Sequence, residues 1–122
     1  MKKLWITGSL LAMSIASAHA DGPPHGDATR GATLYQACMA CHSLDEDDVG
    51  PRHRGVVGRT AGSVPGFAYS PALRNSHIVW GAETLDRWLT NPQALVPGAR
   101  MFFAMPNAQD RADVIAWLST LR

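Results

Sequence analysis

The sequence has 122 residues, enough for one small domain with a single hydrophobic core. Eleven basic residues against ten acidic ones leave a formal net charge of +1, and without a basic stripe we expect no binding to nucleic acid. The two lysines are Lys2 and Lys3, so the rest of the chain relies on nine arginines for its positive charge.

The first twenty residues predict a secretory signal peptide. A positive start is followed by an apolar run from Leu4 to Ala16 and by Ala18-His19-Ala20, a cleavage site of the A-x-A type. The apolar run is shorter than a membrane span requires, so we expect cleavage, with no stable membrane insertion afterwards, over the alternative of a retained anchor. The predicted organisation is a cleaved signal peptide at 1–20, a flexible N-terminus at 21–26 and one domain at 27–122.

The remainder predicts an all-α domain. Asp27 is a candidate N-cap for a helix that runs to about Cys38. Three further helices are predicted: Ser70 to about Asn75, Glu83 to Asn91 with Pro92 ending it, and one that starts at Asn107 as its N-cap. Glycine and proline recur through residues 50–66 and 92–106, so we expect long loops there and no central strands.

The motif Cys38-Met39-Ala40-Cys41-His42 is the strongest functional signal in the chain. C-x-x-C-H is the pattern by which a c-type haem is attached. Two thiols at this spacing reach the two vinyl groups on one edge of a porphyrin, and the adjacent His42 supplies a ligand to iron. These are the only two cysteines in the sequence. The motif therefore predicts one haem c, covalently bound through Cys38 and Cys41.

Three other interpretations of the motif remain open at this point. A thioredoxin-like redox pair needs a βαβ context, which the pattern of elements does not suggest. A zinc site needs further ligands, and there is no second cysteine pair. A structural disulfide across so short a loop is geometrically awkward and leaves His42 without a role.

The chain resembles the class I cytochromes c, and within them the mitochondrial and bacterial c2-type branch. The resemblance covers nearly all of residues 27–122 and implies the cytochrome c fold, with four to five helices and long ordered loops around one haem. Besides the haem motif, it is carried by Gly50-Pro51-Arg52-His53-Arg54-Gly55, Val57-Gly58-Arg59, Pro65-Gly66-Phe67-Ala68-Tyr69, Trp80, Asn91-Pro92, Pro97-Gly98-Ala99-Arg100-Met101 and a C-terminal helix with Trp117.

The resemblance implies that His42 and Met101 are the two axial ligands of the iron. His/Met ligation raises the reduction potential of a haem. Met105 is the rival ligand, and packing is the commoner role of any methionine. The family pattern also gives a role to four further residues, with the Pro51 carbonyl accepting a hydrogen bond from the proximal imidazole and Arg59, Tyr69 and Trp80 binding the haem propionates.

Four positions depart from the family pattern. Trp88 stands where a tyrosine usually lies near the methionine sulfur, Ala99 replaces a threonine, and Leu73 replaces an asparagine. We expect these three changes to make the pocket drier. His53 stands where an apolar residue often packs on the haem, and we interpret it as a buried or edge histidine rather than a ligand.

These expectations combine into a soluble periplasmic electron carrier, not an enzyme, that is a monomer. Its implied partners are redox proteins: a membrane cytochrome complex, a terminal oxidase or a periplasmic dehydrogenase. The ring of lysines typical of the family's docking face is absent, and Arg52, Arg54 and Arg100 are candidates for a residual basic patch. The alternatives are a cytochrome subunit of a periplasmic oxidoreductase, or a haem peroxidase or gas-binding protein whose methionine ligand is labile.

Overall fold

Five α-helices and one 3₁₀ helix, joined by long loops, make up the part of the chain that the computed structural model describes, residues 24–122. The helices are α1 (Ala28–Leu34), a 3₁₀ helix (Tyr35–Ala40), α2 (Pro71–Arg74), α3 (Ala82–Thr90), α4 (Pro92–Leu95) and α5 (Ala108–Thr120). An isolated antiparallel bridge pairs Thr60 with Val79, and these residues form no strand. The all-α prediction is confirmed. The predicted signal peptide at 1–20 lies outside the described residues.

Polar N-caps start α1 and α5 where the sequence predicts them. The Asp27 carboxylate accepts hydrogen bonds from the backbone N–H groups of Thr29 and Arg30. The Asn107 side chain accepts from Asp110 at the start of α5. Such caps satisfy backbone donors that a helix leaves without partners in its first turn. No helix among residues 24–122 combines the length and the apolar character needed to cross a bilayer.

Two elements differ from the sequence-based expectation. The first helix is helical past Cys38, but it tightens into the 3₁₀ form from Tyr35 onwards. Pro92, expected only to end the preceding helix, also begins α4, because Asn91 caps the new helix through a hydrogen bond from the Ala94 N–H. Proline suits the first helical position, where its missing N–H would have no partner in any case.

Helices α1 and α5 cross at very close range. A Cβ on Gly31 would lie only 1.9 Å from the carbonyl oxygen of Asp113, so no larger residue fits without moving a backbone. Glycine at position 31 therefore permits this crossing. Tyr35 and Trp117 pack at the same junction, with their ring centroids 6.4 Å apart.

The Asp113 carboxylate links the two helix ends at this crossing. It is 1 % exposed, and it accepts from the Asp27 N–H at 2.7 Å, from the Gln109 side chain at 2.8 Å and from the Arg30 guanidinium. These hydrogen bonds, the Asp27 N–H first, hold the pKa of Asp113 below its ordinary value. Gln109 also donates to the His25 carbonyl, which joins residues preceding α1 to α5.

We predict that Asp113→Asn lowers the melting temperature more than Asp110→Asn, which removes a more exposed partner of Arg30 on the same helix. A depressed folded-state pKa stabilises the fold above the unfolded pKa, about 3.9 for Asp, and that contribution is lost as the pH falls through the folded value. The free energy of unfolding that Asp113→Asn loses should therefore be constant near neutral pH and become smaller in acid. Denaturant titrations between neutral and acidic pH measure it, and a deficit that grows in acid would contradict the assignment.

Candidate functional site

One cavity of about 440 Å³ brings together every residue that the sequence analysis assigns to a site. This volume lies within the range of about 300–1,000 Å³ that is usual for cofactor and ligand sites. Leucine, valine and aromatic side chains supply most of the remaining wall. The assigned residues that line the cavity are Cys38, Cys41, His42, Pro51, Arg59, Tyr69, Trp80 and Met101.

The 3₁₀ helix places both cysteines on the cavity. Side chains at positions i and i+3 eclipse each other in a 3₁₀ helix, and Cys41 caps this helix by donating its N–H to the Cys38 carbonyl at 3.1 Å. Cys38 is half-buried and Cys41 is exposed. Burial raises the pKa of the Cys38 thiol. Two thiols on one side of a turn can bond to two points on one edge of a flat ligand.

The alternative interpretations of the motif find no support in the described residues. A thioredoxin-like pair would sit beside a sheet, and residues 24–122 contain no strand. In the same range no group of three or more His, Cys, Asp or Glu side chains lies close enough together to hold a metal ion. Cys38 and Cys41 do not form a disulfide.

His42 is held by the loop that follows the motif. Its Nδ1 lies 2.7 Å from the Pro51 carbonyl oxygen, so Nδ1 carries the proton and donates it, and Nε2 of the neutral ring keeps a lone pair for a metal. Burial lowers the pKa of His42, which favours this neutral form. Gly50 passes so close that a Cβ there would lie 2.2 Å from Cε1 of the imidazole. The loop can therefore clasp the ring only with glycine at this position.

The structure separates the two candidate methionine ligands. Met101 lines the cavity, whereas Met105 is 9 % exposed, belongs to the core and does not line it. Backbone contacts fix Met105 there, because its N–H donates to the Leu89 carbonyl at 2.7 Å and its carbonyl accepts from Arg111 at 2.9 Å.

The loop that carries Met101 is fixed at two points. Gln93, on α4, donates its side-chain amide to the carbonyls of Ala99 at 2.6 Å and Met101 at 3.0 Å. Arg100 donates to the Ala68 carbonyl at 2.7 Å, a contact between loops 32 residues apart in sequence. Neither contact was predicted from the sequence, although a Gln in a short helix before a Pro-Gly loop is a signal for the first of them.

The three polar residues assigned to the propionates lie along the cavity wall. Arg59 donates to the carbonyls of Arg52 at 2.6 Å and Arg54 at 2.5 Å, which leaves some of its five N–H groups for an acidic ligand. Burial holds the pKa of Arg59 below its ordinary value, as expected for a cation partly withdrawn from water. The Tyr69 hydroxyl oxygen accepts from the Val64 N–H at 3.1 Å, so its proton remains to donate.

The departures from the family pattern lie at different depths. Leu73 and Trp88 line the cavity, and the Trp88 ring packs against Trp80 at 5.2 Å between centroids. Ala99 is buried but does not line it. Leu73 thus places an apolar side chain where the family pattern has an amide, and Trp88 places an indole where the pattern has a phenol. That these changes make the pocket drier stays a prediction.

His53 forms part of the wall beside His42. The two imidazoles are stacked, with centroids 3.9 Å apart and an interplanar angle of 20°. Nδ1 of His53 lies 2.9 Å from the Tyr35 hydroxyl. Burial, followed by the charges of His42 and Arg59, lowers the pKa of His53 to about 3. His53 is half-buried in this position, as expected of a buried or edge histidine near Pro51.

The cavity suits a haem, because it combines a mainly apolar wall, two thiols on one turn and an imidazole whose Nε2 is left with a lone pair. Comparisons with known proteins point to the same group. The family model described as cytochrome c matches residues 28–122. The chain is 45 % identical over 122 residues to cytochrome c2 of Rhodomicrobium vannielii, covering 97 % of this chain and 94 % of the relative.

Solved structures agree with this assignment. Cytochrome cH from Methylobacterium extorquens superposes with a TM-score of 0.76 at 39 % identity, covering 78 % of this chain and 99 % of the other. Ferricytochrome c2 from Rhodopseudomonas palustris gives 0.75 at 38 %, with 79 % and 99 % covered. The chain therefore belongs to the cytochrome c family, as a c2-type electron carrier rather than an enzyme, with one haem c attached through its two cysteines.

Proposed function

We propose that this protein carries single electrons in the periplasm, with the haem iron ligated by His42 and Met101. The observation that supports this ligand pair is the position of Met101, which is the one methionine among residues 24–122 that lines the cavity containing His42. When bound, haem c supplies a one-electron couple between ferric and ferrous iron. Its partners are a donor and an acceptor drawn from membrane cytochrome complexes, terminal oxidases and periplasmic dehydrogenases.

The residues around the cavity favour electron transfer over chemistry on a bound substrate. The Pro51 carbonyl holds the His42 imidazole in one tautomer, and Gln93 and Arg100 hold the loop of Met101. A ligand set that is already in place changes little when the charge of the metal changes. If His42 and Met101 both bind the iron, no coordination position would be open to oxygen, peroxide or carbon monoxide.

The surface beside the motif is paired in charge. Arg54 contacts Asp45 at 2.5 Å, and Arg52 contacts Asp47 at 3.4 Å. Two of the three arginines expected to form a basic patch are thus matched by the adjacent acidic run, and the third, Arg100, is bound to a backbone carbonyl. We infer that electrostatic steering of partners is weak at this surface.

Met101→Ala should abolish the absorption band at the red end of the spectrum that marks a bond between methionine and ferric iron. The reduced variant should bind carbon monoxide, and its potential should fall, because His/Met ligation raises the reduction potential. Spectral and potentiometric titration of the haem-loaded protein measures all three effects. Met105→Leu is the matched control, since it keeps the core volume and should keep the band. Loss of the band in Met105→Leu but not in Met101→Ala would contradict the ligand assignment.

The rate of oxidation by ferricyanide should depend only weakly on salt. Between about 0.01 and 0.15 M ionic strength the Debye length falls from about 30 Å to about 8 Å, and we expect a change well below the roughly tenfold or larger effect of a steered association. The double variant Asp45→Asn/Asp47→Asn leaves Arg52 and Arg54 without their carboxylates, so it should react faster at low salt. Stopped-flow rates that fall steeply with salt in the unaltered protein would contradict the inference.

Export should produce a mature chain that begins at Asp21. Intact-mass measurement on protein from the periplasmic fraction is expected to give residues 21–122 plus one haem. Ala20→Phe, which places a bulky side chain at the cleavage site, should retain residues 1–20. Recovery of the unaltered protein in the membrane fraction with residues 1–20 attached would instead favour a retained anchor.

A further inference from the structure

We propose that His53 and Tyr35 together position the proximal imidazole, with His53 setting the plane of the His42 ring. The inference rests on the proposed ligation of iron by His42. It assigns a role to His53, which takes part neither in the contact with Pro51 nor in the attachment of haem through the cysteines. His53 is a positioning residue in this scheme and not a ligand.

The contact with Pro51 cannot fix the imidazole by itself. The hydrogen bond from Nδ1 tethers one atom of the ring, and the Gly50 backbone lies against the same ring, which together still leave the imidazole some freedom to tilt. A second flat ring lying face to face with the first removes this freedom. The His53 ring does so, at 3.9 Å between centroids and 20° between planes.

His53 can act as a support only if it is fixed in turn. Its Nδ1 shares a hydrogen bond of 2.9 Å with the Tyr35 hydroxyl, and Tyr35 is 3 % exposed. The Tyr35 ring packs against Trp117 on α5. Tyr35, packed at the α1–α5 crossing, therefore fixes His53, and His53 in turn packs on the face of the His42 ring.

Simple packing does not account for this arrangement. An apolar side chain would fill the same wall without requiring a partner, whereas the half-buried imidazole of His53 gives up contacts with water and is stabilised by a hydrogen bond in their place. Tyr35 supplies that bond from a different part of the chain, 18 residues away in sequence. Groups behind a metal-ligating histidine fix its orientation and influence the metal through it, so an effect on the iron is the signature that separates positioning from packing.

The test compares His53→Leu, Tyr35→Phe and the control His77→Ala in the haem-loaded ferric protein. His53→Leu keeps an apolar side chain in the wall but removes the flat, hydrogen-bonded ring. We expect the order or spacing of the four haem methyl proton shifts to change and the electron paramagnetic resonance lines to broaden. Tyr35→Phe should produce the same kind of change with a smaller size. His77 is exposed on a loop, so its removal should leave both spectra unchanged.

The possible results distinguish this inference from the ligation on which it depends. Strongly shifted His42 ring protons in the unaltered protein establish His42 as the ligand, and their absence would overturn the ligation itself. If His42 is the ligand and His53→Leu leaves the methyl shifts and line widths unchanged, the positioning role is wrong. Should His53→Leu fail to attach haem, Tyr35→Phe decides alone, because it removes a single hydroxyl group. Unchanged spectra in that variant would overturn the proposal.

Discussion

The hydrogen bond between His42 Nδ1 and the Pro51 carbonyl is the interaction on which the site depends. It selects the tautomer that leaves Nε2 with a lone pair available to a metal. Several features of the sequence serve this one contact. Gly50 gives the loop the room to approach the ring, and Pro51 stiffens the loop at the accepting carbonyl. The 3₁₀ turn before His42 brings the two thiols to the same cavity.

The helix crossing provides the fixed reference for this contact. Gly31 brings α1 against the backbone of α5, and Asp113 joins the ends of both helices through a buried carboxylate. The 3₁₀ helix with the cysteines continues directly from α1, so the crossing of α1 with α5 also fixes the position of the cysteines. The loop of Met101 is secured separately, by Gln93 from α4 and by Arg100. Two independent anchors thus hold the two candidate ligands.

The sequence predicts most of the fold because its signals are local. Asp27, Ser70 and Asn107 are caps whose partners lie three residues or fewer along the chain. The start of α4 was missed, because a proline after a helix is read as its end, and the role of Asn91 as the next cap depends on a bend that local pattern does not reveal. The change from α to 3₁₀ geometry at Tyr35 was missed for a similar reason, since propensity does not distinguish these two helices.

The eight residues assigned to the site all line one cavity. They were predictable because they lie in short motifs, and the resemblance to a family assigns a role to each motif. Contacts between distant segments were not predictable in this way. The bond from Arg100 to Ala68 spans 32 residues, and the pairing of Tyr35 with His53 spans 18. Neither contact follows from the spacing of residues within a helix or a strand, so no sequence pattern predicts it. Only the departure of His53 from the family pattern marked it as unusual, and its partner was visible only in three dimensions.

The polar groups near the haem site are unevenly distributed, and this unevenness has a physical cause. Leu73 and Trp88 line the cavity where the family pattern has an asparagine and a tyrosine. His53, by contrast, brings an imidazole where the pattern has an apolar residue, and Tyr35 satisfies it from the α1–α5 junction. A buried polar group costs little when it is hydrogen-bonded and costs much when it is not. An extra polar residue is therefore tolerable beside His42, where the helix crossing presents a hydroxyl group at hydrogen-bonding distance.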